Sequence, residues 1–458
     1  MTDLPPGWAR VPISDVADVR GGIQKQAKRR PVKNKYPFLR VANVARGSLK
    51  LDVVHEIELF EGELERYALH AGDLLVVEGN GSAKEIGRAA MWNGEIENCV
   101  HQNHLICIRP TQAILPKYLE LAWNSPDVID QLWQVASTTS GLYTLSTAKL
   151  KRINLSVPPL AEQRRIVATL EGHLSDLVAA NQAVTLAGRR TQVLWASVLN
   201  ALASKPYGES TSDVPLRAIA EVAQVQGGIQ KQPKRRPVNN FYPFLRVANV
   251  SRGGLNLSDV HQVELFGAEI ERYRLKRGDL LVVEGNGSPE QIGRAAMWHD
   301  EIPNCVHQNH LIRVRPGPEL DPGYLEHIWN APRTAQEIRS VASSTSGLFT
   351  LSTAKVKSVR IPVPSLSTQK RLVAEVQQWR TRLDVAEQAI GSGYRRANTL
   401  RRSLLREAFA GRLVEQDPAD EPASVLLERI RAERAAQGPV RRARRGKGKT
   451  APQEETLV

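Results

Sequence analysis

Short apolar runs broken by glycine, asparagine and proline fill the first hundred residues: "FLRVANV", "DLLVVEG", "AAMW" and "HLICIRP". Their length and punctuation predict strands rather than helices, in a sheet-centred region. "PKYLELAWNSP" and the stretch after it to about Val135 read instead as helices bounded by proline, as does "PGYLEHIWNAP" continued to about Val341. Beyond "SVPPLAEQRRIV" the period changes. Val167, Leu170, Leu174, Leu177, Asn181, Val184, Gly188, Thr191, Trp195, Val198 and Leu202 alternate at spacings of three and four, as do Leu372, Val376, Trp379, Leu383, Ala386, Ile390, Gly393, Ala397, Leu400 and Leu404. These are heptad seams on two helices of nearly forty residues, each about 50 to 60 Å long. Neither is stable alone, so the simplest reading sets one against the other, antiparallel. The alternative packs each helix on its own domain.

The pattern occurs twice because the sequence does. Sliding the chain by 206 residues aligns it with itself from Ile13 to Val167 without a gap, and between Arg20 and Pro110 66 of 91 positions are identical. So long a period marks a duplicated domain with its connector, not a solenoid. The predicted fold is α+β: two similar sheet-containing domains, 1–158 and 206–364, separated by two long antiparallel helices, 159–205 and 365–412, forming a coiled-coil spacer. The remainder, 413–458, contains one short helical pattern, "PASVLLERIRAER", and is expected to be a basic, disordered tail.

Charge sharpens the picture only after it is located. Of the net +14, the segment Arg429 to Lys449 supplies +8, with nine basic residues against Glu433 alone. The other +6 is modest for the rest of a 458-residue chain, so composition permits a polyanionic partner without requiring one. Cys99, Cys107 and Cys305 are too few for a disulfide framework. No window offers the roughly 18 apolar residues of a membrane span, and the expected location is cytoplasmic.

Catalytic signatures fail on inspection. "GKGKT" at Gly446 lacks the upstream glycine of a phosphate-binding loop, since Ala443 stands there. "VVEGNGS", at Val76 and Val282, lacks dinucleotide spacing and reads as a turn presenting Asn80 and Ser82, or Asn286 and Ser288. "NCVHQNH" brings Cys99, His101 and His104 together, and Cys305, His307 and His310 in the repeat, but no matching fourth ligand follows, so core or groove-facing histidines are preferred to zinc and no metal is expected. Neither the cofactor glycine loop nor the Asn-Pro-Pro-aromatic signature of an adenine methyltransferase is present, nor a glutamate two residues before a lysine as at a common nuclease site. Elimination leaves a binding module.

"STTSGLYTLSTAKLKRINLSVPPLAEQRRIV" and its echo "SSTSGLFTLSTAKVKSVRIPVPSLSTQKRLV" strongly resemble the specificity subunit of type I restriction-modification systems. The resemblance covers about 410 of 458 residues, with Ser365 and Ser367 departing from Pro159 and Ala161 of the first signature. It implies a non-catalytic reader of double-stranded DNA. Each of two target-recognition domains binds half of a split site, while the paired helices space them and dock two adenine methyltransferase subunits. Those partners would carry S-adenosylmethionine, so no cofactor is expected on this chain; restriction and translocase subunits would join for cleavage. Near-identical readers on antiparallel helices further imply a palindromic or nearly palindromic site. The rival readings are a helical scaffold or regulatory protein that binds other proteins, and a fused enzyme whose active site goes unrecognised.

Base edges favour Arg, Lys, Asn and Gln on loop tips, and phosphates favour cations and backbone N–H groups. The expected DNA contacts are Gln24, Lys25, Gln26, Lys28, Arg29 and Arg30 with Gln230, Lys231, Gln232, Lys234, Arg235 and Arg236. Asn80, Ser82, Asn286 and Ser288 follow, then Gln102, Asn103, Gln308 and Asn309. Arg40 and Arg246, inside apolar strands, read either as DNA contacts or as buried structural pairs, and Tyr143 and Phe349 either as contacts or as core.

Overall fold

The computed structural model describes residues 4–80, 82, 85–139, 142–204, 214–286, 288, 290–345 and 348–436. The chain divides into two compact units, one running to Asn181 and resuming at Arg395, the other running from Gln182 to Tyr394.

In the first unit a four-stranded antiparallel sheet has the order 17–21, 105–110, 74–77, 89–91. Its strand Leu74–Val77 is a continuous apolar run because both faces are covered. Leu74 and Val76 meet a core with Tyr118, Leu119, Trp123, Val128 and Leu132 from the two proline-started helices. Leu75 and Val77 meet a second core with Leu39, Trp92 and Cys99. A small sheet sets Lys35–Leu39 parallel to 100–101 and antiparallel to His55–Glu58. Another sets Leu142–Thr144 between 137–139 and 79–80. The second unit repeats this topology strand for strand, with the four-stranded order 223–227, 311–316, 280–283, 295–297.

The two long helices run from Leu160 to Ser204 and from Leu366 to Phe409, within a few residues of the sequence-based limits. Within the second unit they are antiparallel: a Cβ on Gly393 would lie 3.3 Å from Val184 Cγ2, one on Gly188 4.0 Å from Ile390 Cγ2, and Arg380 stacks over the Trp195 ring at 5.2 Å. Small residues in the seam therefore serve close approach. Within the first unit Ile166 and Leu170 share a core with Leu405 and Ala408. Each helix also packs on a domain, as Leu199, Leu202, Leu372 and Val376 do in the second unit, so both packing alternatives hold together.

The segment after 412 needs correction. Ala423–Ala436 is a helix whose Ala423, Leu427 and Ile430 are buried in the first unit's core. Arg431 pairs with Asp15 at 2.5 Å, Arg434 with Asp18 at 3.6 Å, and the Ala423 N–H donates to Gly7 O at 2.9 Å. Its high basic content masked an apolar stripe long enough to dock. The disorder expected for 437–458 lies outside the described residues.

Candidate nucleic-acid interface

Three segments far apart in sequence meet at one edge of each unit. Ile23 bridges Gln102 in parallel sense, its N–H donating to His101 O at 2.9 Å while the Asn103 N–H returns to Ile23 O at 2.9 Å. The same turn leans on the glycine loop, since the Glu78 N–H donates to His104 O at 3.0 Å. Leu145 N–H then donates to Glu78 O at 2.8 Å, tying in the 137–144 hairpin. Gln24, Lys25, Gln26, Gln102 and Asn103 thus lie together, the first three exposed and the last two half-buried, while exposed Ser82 follows Glu78 by four residues on the glycine loop. In the second unit Ile229, Gln308, Asn309, Glu284 and Leu351 make the same bonds at 2.7 to 3.0 Å, with Gln230 and Lys231 exposed and Gln232 half-buried. Asn80 and Asn286 sit on the short strands that pair with Tyr143 and Phe349. Tyr143 and Phe349 themselves pack, partly buried, against the cores. Ser288 Oγ lies 2.6 Å from Glu290 Oε2.

The basic loop is fixed in place rather than loose. Arg29 makes a two-pronged bond to Glu63, both contacts 2.7 Å, and stacks over Phe60 at 5.0 Å. That bond holds the Glu63 carboxyl below its ordinary range, and Arg235 does the same to Glu269, down to about 2. Downstream, Glu58 accepts the N–H groups of Val32, Lys33 and Asn34 at 2.6, 3.0 and 2.9 Å. These three backbone donors are the main cause of its own lowered pKa. The loop's cations therefore divide: Arg29 and Arg235 hold the loop, while Lys25, Lys28, Arg30 and their counterparts Lys231, Lys234 and Arg236 face solvent. Arg30→Ala or Lys28→Ala is expected to lower the salt dependence of DNA binding by about one phosphate's worth without moving the melting temperature. Arg29→Ala should lower the melting temperature as well, because it strands Glu63. Equal melting curves for the Arg29 and Arg30 variants would contradict the division.

Arg40 and Arg246 lie beside the same turn: Leu39 pairs with His101 and Leu245 with His307 in parallel register, so the following arginines adjoin Gln102 and Gln308. Both are half-buried, and the Nε of each is buried without a hydrogen-bond partner.

Sequence reasoning missed one pair. His104 Nδ1 lies 3.0 Å from Glu78 Oε2 and His310 Nδ1 3.1 Å from Glu284 Oε2, joining the glycine loop to the "HQNH" turn on the exposed surface. The recurrence of Glu78 as Glu284 was the available signal. The cysteine and histidine cluster resolves differently. Cys99 and His101 are buried, His101 Nδ1 bonds Leu105 O at 2.9 Å, and burial holds its pKa down to about 4. Among the described residues no group of three or more His, Cys, Asp or Glu is placed to hold a metal, and no helix is long and apolar enough to cross a membrane.

The surface is polar, cationic at its rim and rigidly supported, with amide side chains presented from backbone that is hydrogen-bonded in place. A family described as the type I restriction modification DNA specificity domain matches residues 5–184 and again 211–388. The type I restriction enzyme EcoKI specificity subunit of Escherichia coli (strain K12) is 26% identical over 458 residues, covering 95% of this chain and 97% of that protein. The StySPI specificity subunit of Salmonella potsdam is 24% identical over 453 residues, covering 95% and 97%. A solved chain from "Structural basis underlying complex assembly and conformational transition of the type I R-M system" has a TM-score of 0.70 at 17% identity, over 90% of this chain and all of that one, which speaks for the fold.

Proposed function

Because the chain belongs to the family of type I restriction-modification DNA specificity subunits, we propose that its two units read the two halves of one split, palindromic site on double-stranded DNA. The chain is the non-catalytic, sequence-reading member of a restriction-modification complex. The finer assignments are our own: two adenine methyltransferase subunits, carrying S-adenosylmethionine, dock on this chain, and restriction and translocase subunits join them, in the cytoplasm.

One observation carries the palindrome. The candidate set recurs residue for residue, with Gln24, Lys25, Gln26, Lys28, Arg30, Gln102 and Asn103 answered by Gln230, Lys231, Gln232, Lys234, Arg236, Gln308 and Asn309, on loops tied down by the same backbone bonds at Ile23 and Ile229, Gln102 and Gln308, and Asn103 and Asn309. Equal chemistry on equal scaffolds selects equal bases. Readers facing opposite strands then see one sequence and its reverse complement.

Methylation sequencing of a host carrying the system is expected to give one split motif whose halves are reverse complements, lost when this gene is deleted. Two unrelated halves would overturn the palindrome. A motif that survives deletion would overturn the reading assignment and favour the scaffold alternative.

A further inference from the structure

The two units differ in the partner of one recurring arginine. In the second unit Arg246 Nη2 holds Asp259 Oδ2 at 2.7 Å, with His261 Nε2 3.9 Å from the other carboxylate oxygen. In the first unit Arg40 and His55 occupy the corresponding places, in the same strand register. The residue matching Asp259 is Val53. Val53 O accepts from Asn43 Nδ2 at 2.9 Å, just as Asp259 O accepts from Asn249 Nδ2 at 2.9 Å, so the two residues stand at one point of the fold. Asp52, one residue earlier and exposed, forms no ion pair with Arg40 among the described residues.

We propose that Arg40 takes a DNA backbone phosphate at this position, and that in the second unit Asp259 stands in for that phosphate and competes with it. The inference rests on the DNA-reading assignment. A guanidinium held beside the "HQNH" turn, with its Nε buried, has lost much of its hydration and gains most from an anion. Asp259 is 74% exposed on its side chain, so its bond to Arg246 is worth little in itself. Its main effect is to cancel one positive charge where a phosphate would lie. At the other end of the same strand and in the loop before it, the second unit also lacks two exposed cations: Lys33 and Lys35 become Asn239 and Phe241. Base selection, set by the recurring amides, stays equal. The grip on the backbone does not, so the first unit holds its half-site more tightly.

The test uses the full chain assembled with its methyltransferase partner, fluorescence anisotropy on a target duplex and on an unrelated duplex of equal length, and a salt series. Arg40→Gln is expected to weaken both about five- to tenfold and to lower the salt slope by about one. Arg246→Gln should cost less than about twofold. Asp259→Val, at an exposed position that should not disturb folding, should tighten both duplexes several-fold and raise the slope by about one. Equal losses at Arg40 and Arg246, or no gain from Asp259→Val, would overturn the inequality, and a loss at Arg40 confined to the target would overturn the phosphate. If the wild-type complex binds both duplexes alike, the base-reading assignment fails while the phosphate comparison still stands or falls on its own numbers.

Discussion

Gln163→Leu is expected to lower the melting transition of the first unit by roughly ten degrees while leaving the second unit's unchanged. The Gln163 side chain is completely buried at the start of the central helix. Its Oε1 accepts the Leu115 N–H at 2.8 Å, and its Nε2 donates to Ala113 O and Pro158 O, each at 3.0 Å. Leucine fits the volume and satisfies none of these. Three backbone groups, two buried and one partly buried, lose their partner, at about 1–3 kcal/mol each and less than additively, so the loss is about 3–5 kcal/mol. That is a large share of a typical domain's stability, and about 2–4 °C per kcal/mol at this size gives the shift stated. Gln369 repeats the arrangement, accepting from Asp321 N–H at 2.8 Å and donating to Glu319 O and Pro364 O at 3.0 and 2.8 Å, so Gln369→Leu should move only the second transition. Differential scanning calorimetry reads both, and a shift of a degree or two would sink the account.

The same glutamines show what the sequence makes legible. The segments "VPPLAEQRR" and "VPSLSTQKR" helped to mark the family, but the physical reason for their glutamine is a tertiary bond between a long helix and the cap of a short one some fifty residues earlier. No local pattern announces that. Helices and strands were readable because period and punctuation are local properties, and the duplication because identity survives at a fixed offset. The candidate surface was half readable. Residue type singled out Gln24, Lys28 and Gln102 as candidates, but "KRR" does not say that the middle cation is locked to Glu63 while Lys28 and Arg30 face water. The short helix at "PASVLLERIRAER" was readable, but its docking was obscured for a related reason: charge reports on a segment's exposed face, and docking depends on the other one.

Gly22→Ala should remove most of the first unit's hold on its half-site, and Gly21→Ala should do almost nothing. The doublet reads as a flexible hinge, yet the two glycines are not equivalent. A Cβ on Gly22 would lie 2.4 Å from both His101 O and Gln102 O and 2.5 Å from His101 Nδ1. Two of those atoms are backbone, so no rotamer relieves the clash. A Cβ on Gly21 meets nothing within 4 Å. The loop must therefore move off the turn, lengthening the Ile23–His101 and Asn103–Ile23 bonds that set Gln24 to Gln26 beside Gln102 and Asn103. Overpacking of this kind costs about 1–3 kcal/mol, so target affinity should fall by about ten- to hundredfold. The loss should appear on the target more than on an unrelated duplex, because the cations remain on the loop and only their register with the amides is lost. Gly228→Ala repeats the clash, at 2.3 and 2.4 Å from His307 O and Gln308 O, and combined with Gly22→Ala should abolish discrimination between the two duplexes. Equal effects of Gly21→Ala and Gly22→Ala would mean that chain flexibility, not the close approach, is what the doublet supplies.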